Sequence, residues 1–191
     1  MGKVVNRRDF LRTSIRAGTA ISLPVSVWAD NYPSDIVSMP ALQLSEAIRE
    51  KKVSCLEVMQ AYLAQITRYN PIYNAIVSIP NEQELLEKAK YADADLAGGN
   101  YRGWMHGMPH AVKDLQPVAG LRHTSGSPMF ADRIADQDSE LSASLRAAGV
   151  IFIGKTNVPE FGLGSQSYNP IFGSTGSAWN PKLTAGGSSG G

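Results

Sequence analysis

Three stretches of the sequence gather side chains that could do chemistry. The first, Gly107-Met108-Pro109-His110-Ala111-Val112-Lys113-Asp114, ends an apolar run on a lysine. Lysines so placed usually snorkel to water, whereas one kept from water loses part of its preference for the ammonium form and can act as a base. The second, Gly154-Lys155-Thr156-Asn157-Val158-Pro159-Glu160-Phe161-Gly162, reads as the exit loop of a strand. It lacks the second glycine and the Lys-Ser/Thr pair that a phosphate-cradling loop needs at fixed spacing. The third, Gly186-Gly187-Ser188-Ser189-Gly190-Gly191, has the composition of a flexible linker or an anion-binding turn.

Elements of alternating type must position these groups. Ser54 followed three residues later by Glu57 is a capping box, and Val58, Met59, Tyr62, Leu63 and Ile66 repeat at helical spacing until Asn70-Pro71, so a helix is expected from Ser54 to Tyr69. Asn74 to Ile79 reads as a strand. Leu85, Ala89, Ala92 and Leu96 mark a second helix closed by Gly98-Gly99. Pro109 to Lys113 reads as another strand. Leu141, Leu145 and Ala148 mark a third helix closed by Gly149, which leads into the apolar strand Val150 to Ile153. This is α/β order. From Lys155 to Gly191 apolar periodicity vanishes, and a stretch of that length without regular structure is functional or disordered.

Composition narrows the classes. The 191 residues carry 18 Lys+Arg against 17 Asp+Glu, so no general attraction for nucleic acid is expected. The single cysteine, Cys55, excludes an intrachain disulfide framework and multi-cysteine metal sites, and His106, His110 and His123 are too few for a convincing metal cluster. Near the start, Asn6-Arg7-Arg8-Asp9-Phe10-Leu11-Arg12 precedes an apolar stretch from Ala17 to Val27 and a small-residue site, Val27-Trp28-Ala29. This resembles a twin-arginine export signal. The stretch is shorter than the ~20 residues of a membrane span, so residues 1–29 are expected to be a removable signal, with periplasmic or secreted delivery, the export machinery as partner and no stable membrane anchor.

In this order, several segments resemble the amidase signature family: the capped helix with Asn74-Ala75-Ile76-Val77, the Ala-Val-Lys-Asp strand, Leu145-Arg146-Ala147-Ala148-Gly149 with Gly154-Lys155-Thr156-Asn157, Asn169-Pro170-Ile171-Phe172-Gly173, Trp179-Asn180-Pro181 and the Gly-Gly-Ser-Ser-Gly-Gly loop. Ala185 stands where a proline is common, and His110-Ala111 replaces a more usual valine or glycine. The resemblance implies an α/β fold with a mixed sheet enclosed by helices, and hydrolysis of carboxamides through an acyl-enzyme by a Ser, cis-Ser, Lys triad without metal or organic cofactor. Lys113 then matches the general base and Ser188 the bridging cis-serine. Ser189 would support it by hydrogen bonding, and Gly186 and Gly187 would shape the loop.

The family's nucleophile lies in a later Asp-x-Gly-Gly-Ser segment with no counterpart here, so residues 30–191 are expected to be the N-terminal part of an amidase domain, inactive and poorly folded alone. A non-catalytic remnant, or an exported binding protein on the same scaffold, is the alternative. The chemistry suits the roles: a hydroxyl can accept one hydrogen bond while donating another, and Asp114, on the opposite face of the strand from Lys113, should not hold it charged. A cis peptide before Ser188 would cost ~2.5–4 kcal/mol and needs a constrained loop.

Overall fold

The computed structural model describes residues 36–189 and residue 191. The export motif around Arg7 and Arg8, and the cleavage site at Val27–Ala29, lie outside the described residues.

Helix α1 spans Ala41–Arg49, where the sequence reading places no element; Leu44, Ala47 and Ile48 form its buried stripe. Helix α2, Cys55–Tyr73, begins with the expected capping box: the Glu57 amide donates to Ser54 Oγ (3.1 Å) and the Ser54 amide to Glu57 Oε2 (2.8 Å). Asp93 completes the cap by accepting from the Cys55 and Leu56 amides at 2.7 and 3.1 Å. The helix does not stop at Asn70-Pro71. A proline so close to the end forfeits one hydrogen bond of the last turn, and the chain continues to Asn74, whose left-handed backbone (φ 49°) ends the helix.

Strand β1 is Ile76–Ser78, shorter than the expected Asn74 to Ile79 because Asn70 captures the turn, accepting from the Ala75 and Ile76 amides. Helix α3, Glu82–Ala97, packs against α2, buries Leu85, Ala89 and Leu96, and ends at Gly98 as read. Strand β2 is Pro109–Lys113, with the expected boundaries. Helix α4, Glu140–Ala147, leaves Leu141 exposed, and only Ser142 of its residues is buried. Strand β3, Ile151–Thr156, runs through Lys155 rather than stopping at Ile153, and two-residue strands β4 (Tyr168–Asn169) and β5 (Gly173–Ser174) pair antiparallel beyond it.

The main sheet is mixed, in the order β1-β3-β2. β2 and β3 are parallel, joined by a crossover that includes α4, and β1 is antiparallel to β3. The β2–β3 register shifts once: His110 pairs with Phe152 but Ala111 pairs with Gly154, so Ile153 is an extra residue. Gly154 is there because β1 passes over it; a Cβ would fall 2.6 Å from Ile76 Cγ2 and 2.7 Å from the Ser78 carbonyl oxygen. Val112, Val118, Val150 and Phe152 form the core beside the sheet, with Met105, Leu121 and Leu145 packed on it.

Candidate active site

The site forms where β2 and β3 end. Lys113 is the last residue of β2, paired with Thr156, and the Asp114 amide continues the ladder to the Thr156 carbonyl (3.0 Å). Carboxyl ends of parallel strands are where open α/β sheets place their ligands. The Lys113 Nζ reaches Ser188, donating to its carbonyl oxygen and lying 3.1 Å from its Oγ. Partial burial lowers the Lys113 pKa from its ordinary value, and among the described residues no carboxylate pairs with the ammonium. Lys113 and Ser188, far apart in sequence, are thus together. Ser189, expected to support them, is exposed and takes no part in the Lys113 contact.

Asp114 points to the other side of the strand, as alternation requires. It is buried, accepts from the Thr124 amide and from Thr124 Oγ1 (2.5 Å), and lies 3.7 Å from Lys155 Nζ. His123 Nδ1 is 3.5 Å from Asp114 Oδ1, too far for a hydrogen bond, and has no other partner among the described residues. Burial lowers the pKa of His123, and the Lys155 charge lowers it further. The remaining histidines serve other ends. His106 Nε2 lies 2.9 Å from the Ala92 carbonyl and its Nδ1 accepts from the Arg102 amide, so it locks the approach to β2, while His110 is half-buried on that strand. No group of three or more metal-binding side chains occurs among the described residues.

The Ser188 loop is held by side chains to which the sequence reading assigns no role, although Asn74, Asn157 and Asn169 stand in segments that carry the family resemblance. Asn157, directly after β3 and fully buried, donates to the Ser167 and Gly173 carbonyls and to Thr175 Oγ1 (3.3, 3.0 and 3.1 Å), and its Oδ1 accepts from Asn169 Nδ2 (2.7 Å) and the Val158 amide. Asn169 Oδ1 in turn accepts from the Ile171 and Phe172 amides. Asn74, at the end of α2, donates to the Phe172 and Ser174 carbonyls, and Thr175 Oγ1 donates to the Asn74 carbonyl. The frame extends to the glycines: the Ala185 amide donates to the Thr175 carbonyl, and Ser167 Oγ to the Gly186 carbonyl (3.3 Å). Gly186 has φ 87°, and a Cβ at Gly187 would overlap the Ser165 carbonyl, so both glycines are required by the path of the loop. The signals in advance are the recurrence of Asn, Ser and Thr between the glycines and the place of Asn74, Asn157 and Asn169 in family-like segments, and neither specifies a partner.

The expected cis peptide before Ser188 is corrected. No peptide bond among the described residues is cis, so Gly187–Ser188 is trans. The frame reaches Gly186, but Gly187 and Ser189 on either side of Ser188 are exposed, and that is too little support for a conformation costing ~2.5–4 kcal/mol.

Known proteins resemble this chain in sequence and fold. The amidase family model matches residues 57–191. A glutamyl-tRNA(Gln) amidotransferase subunit of Thermosynechococcus vestitus is 36% identical over 149 residues, covering 78% of this chain and 31% of that protein. The indoleacetamide hydrolase of Bradyrhizobium diazoefficiens is 37% identical over 151 residues, covering 79% and 29%. Among solved structures, a bacterial aryl acylamidase of the amidase signature family superposes with a TM-score of 0.73 at 28% identity, covering 80% of this chain and 32% of that one. The chain thus spans about a third of the length of these relatives. The family-model match covers more than half of the chain, and the chain belongs to the amidase family.

Proposed function

We propose that the protein bearing this chain hydrolyses carboxamides through an acyl-enzyme, with Lys113 as general base and Ser188 as proton relay. The observation that carries this reading is the 3.1 Å approach of Lys113 Nζ to Ser188 Oγ at the end of β2. In the neutral form Lys113 accepts the Ser188 hydroxyl proton, and Ser188 takes the proton of the nucleophile as that oxygen attacks the amide carbon. The proton returns along the same path to the leaving nitrogen, and water then cleaves the ester. Partial burial of Lys113 favours the neutral form this needs. The nucleophilic serine is assigned to a later segment of the family pattern, so residues 1–191 by themselves are proposed to be catalytically silent.

Delivery to the periplasm or outside the cell through the twin-arginine route is part of the proposal, supported by Arg7-Arg8 ahead of Phe10-Leu11 and the uncharged run. No helix among the described residues is long and apolar enough to cross a membrane. A free-standing hydrolase of small amides fits such delivery better than a role within an amidotransferase complex.

The test is release of ammonia or amine from a panel of small amides by the full-length protein. Lys113→Ala and Ser188→Ala should each lower kcat by about 100-fold or more, and by more than Lys155→Ala does. Equal turnover by wild type and Lys113→Ala would remove the base from Lys113. Fractionation of cells expressing Arg7→Lys/Arg8→Lys should find the precursor retained inside; undiminished export would end the delivery proposal.

A further inference from the structure

Lys155 is the most deeply buried cation among the described residues, and the proposed reaction makes no use of it. Its side chain has no exposure to solvent, yet its neighbours are polar: Nζ donates to the Gln116 carbonyl and lies 3.7 Å from Asp114 Oδ1. Both acceptors belong to the turn that follows Lys113. That turn is closed by the Gln116 amide donating to the Lys113 carbonyl (2.9 Å), and the Asp114 amide ties it to Thr156 on β3. Lys155 also pairs with Val112 across the sheet. The residue therefore grips the chain on both sides of Lys113 without touching it.

A buried ammonium is costly unless it is paired and hydrogen-bonded, and a hydrophobic side chain of similar size would pack the same space at no such cost. What the cation supplies in addition is direction: it draws two acceptors of one turn to a single point. Asp114 is held for the same purpose from the other side, by the Thr124 amide and hydroxyl. The other charged groups around this cluster are His123, on the loop that carries Thr124, and Arg133, whose Nε donates to the His123 carbonyl (3.0 Å).

We propose that Lys155 is a positioning residue for Lys113: its buried ammonium clamps the Asp114–Gln116 turn, so that the Lys113 side chain leaves the sheet toward Ser188 and stays partly withdrawn from water. This rests on the reading of Lys113 as the base. The two lysines consequently have opposite requirements, one cationic and fixed, the other neutral when it acts. Burial pulls the Lys155 pKa down to about 8, opposed by Asp114, so the clamp is intact at neutral pH and slackens in alkali.

The experiment reads Lys113 without any substrate. In the full-length protein, competitive labelling with acetic anhydride across pH, quantified by peptide mass spectrometry against the exposed Lys88, gives the Lys113 titration. Lys155→Met should move that titration upward by about half a unit or more, toward the ~10.4 of a free lysine, because Lys113 becomes better solvated. The double variant Asp114→Asn/Lys155→Met leaves no orphaned charge and should show the same shift in a protein that still melts cooperatively. Unchanged Lys113 titration in the folded double variant, or failure of that variant to fold at all, would overturn the proposal in favour of a general core ion pair. An unshifted Lys113 combined with normal amide turnover would refute the clamp while leaving the amidase reading intact. A shifted Lys113 in a protein whose wild type turns over no amide would do the reverse.

Discussion

Lys113 and Ser188 meet at 3.1 Å, but the chain brings them there by different means. Lys113 stands on a strand paired along its length to β3, so its backbone is fixed by a ladder that any sequence with the right pleat could form. Ser188 stands at the end of a long loop with only two-residue strands, and the loop leading to it is held by the side-chain amides of Asn157, Asn169 and Asn74. A ladder distributes its strength over many equivalent bonds. A frame of single side chains concentrates it, so one substitution should undo much of the loop while the sheet endures.

The largest effect is therefore expected from Asn157→Ala. It removes at once the hydrogen bonds of one buried side chain to the Ser167 and Gly173 carbonyls, Thr175 Oγ1, the Asn169 side-chain amide and the Val158 amide, at ~0.5–1.5 kcal/mol for each bond lost. Denaturant unfolding should show a loss of about 3 kcal/mol or more, and hydrogen exchange should quicken in residues 165–188 more than in β2. Uniform loosening of both regions would mean that the two are one cooperative unit.

Gly154→Ala attacks the sheet side. The added methyl would meet Ile76 and the Ser78 carbonyl, and such overpacking costs ~1–3 kcal/mol. Exchange should here rise in β1 and β3 while the Asn157 and Asn169 amides stay protected. If the loop opens first, the sheet is not the independent partner argued above.

The smallest effect concerns pH. A buried lysine whose folded pKa lies below its unfolded one binds fewer protons when folded, so its contribution to stability rises with pH between about 8 and ~10.4, by no more than about 1.4 kcal/mol per unit. Subtracting the Lys155→Met stability curve from that of the wild type should reveal this slope. A flat difference across that range would show that Lys155 keeps an ordinary affinity for its proton.

The same contrast explains what can be read in advance. Elements set by local rules are legible in the sequence: the Ser54–Glu57 cap, the end of α3 at Gly98, and both limits of β2. Boundaries decided by distant partners are not. The apolar pattern ends β3 at Ile153 because Lys155 resembles a surface charge until Asp114 and Gln116 are seen around it, and Pro71 reads as the end of α2 because the final turn closes on Asn74. α1 shows its stripe of Leu44, Ala47 and Ile48 only after Pro40 is recognised as the residue before its start. Lys113 and Ser188 emerge from the family pattern, while Asn157 and Asn169 have roles defined only by the loop they hold.

The extra residue Ile153 in β3 governs how charge is sorted across the sheet. Were Ile153 taken into the ladder opposite Ala111 instead of bulging out, pairing would continue from His110–Phe152 to place Lys113 opposite Lys155, with both side chains on one face. Two ammonium groups would then compete for one carboxylate. With the bulge, Lys155 pairs with Val112 and shares the face of Asp114, while Lys113 pairs with Thr156 and faces the serine loop. A single bulge thus divides the site into a side where Lys155 faces Asp114 and a side where Lys113 faces Ser188. Pairing without the bulge would erase that division even with every polar residue retained, which makes the register after Phe152 as much a determinant of the site as the identity of the lysines.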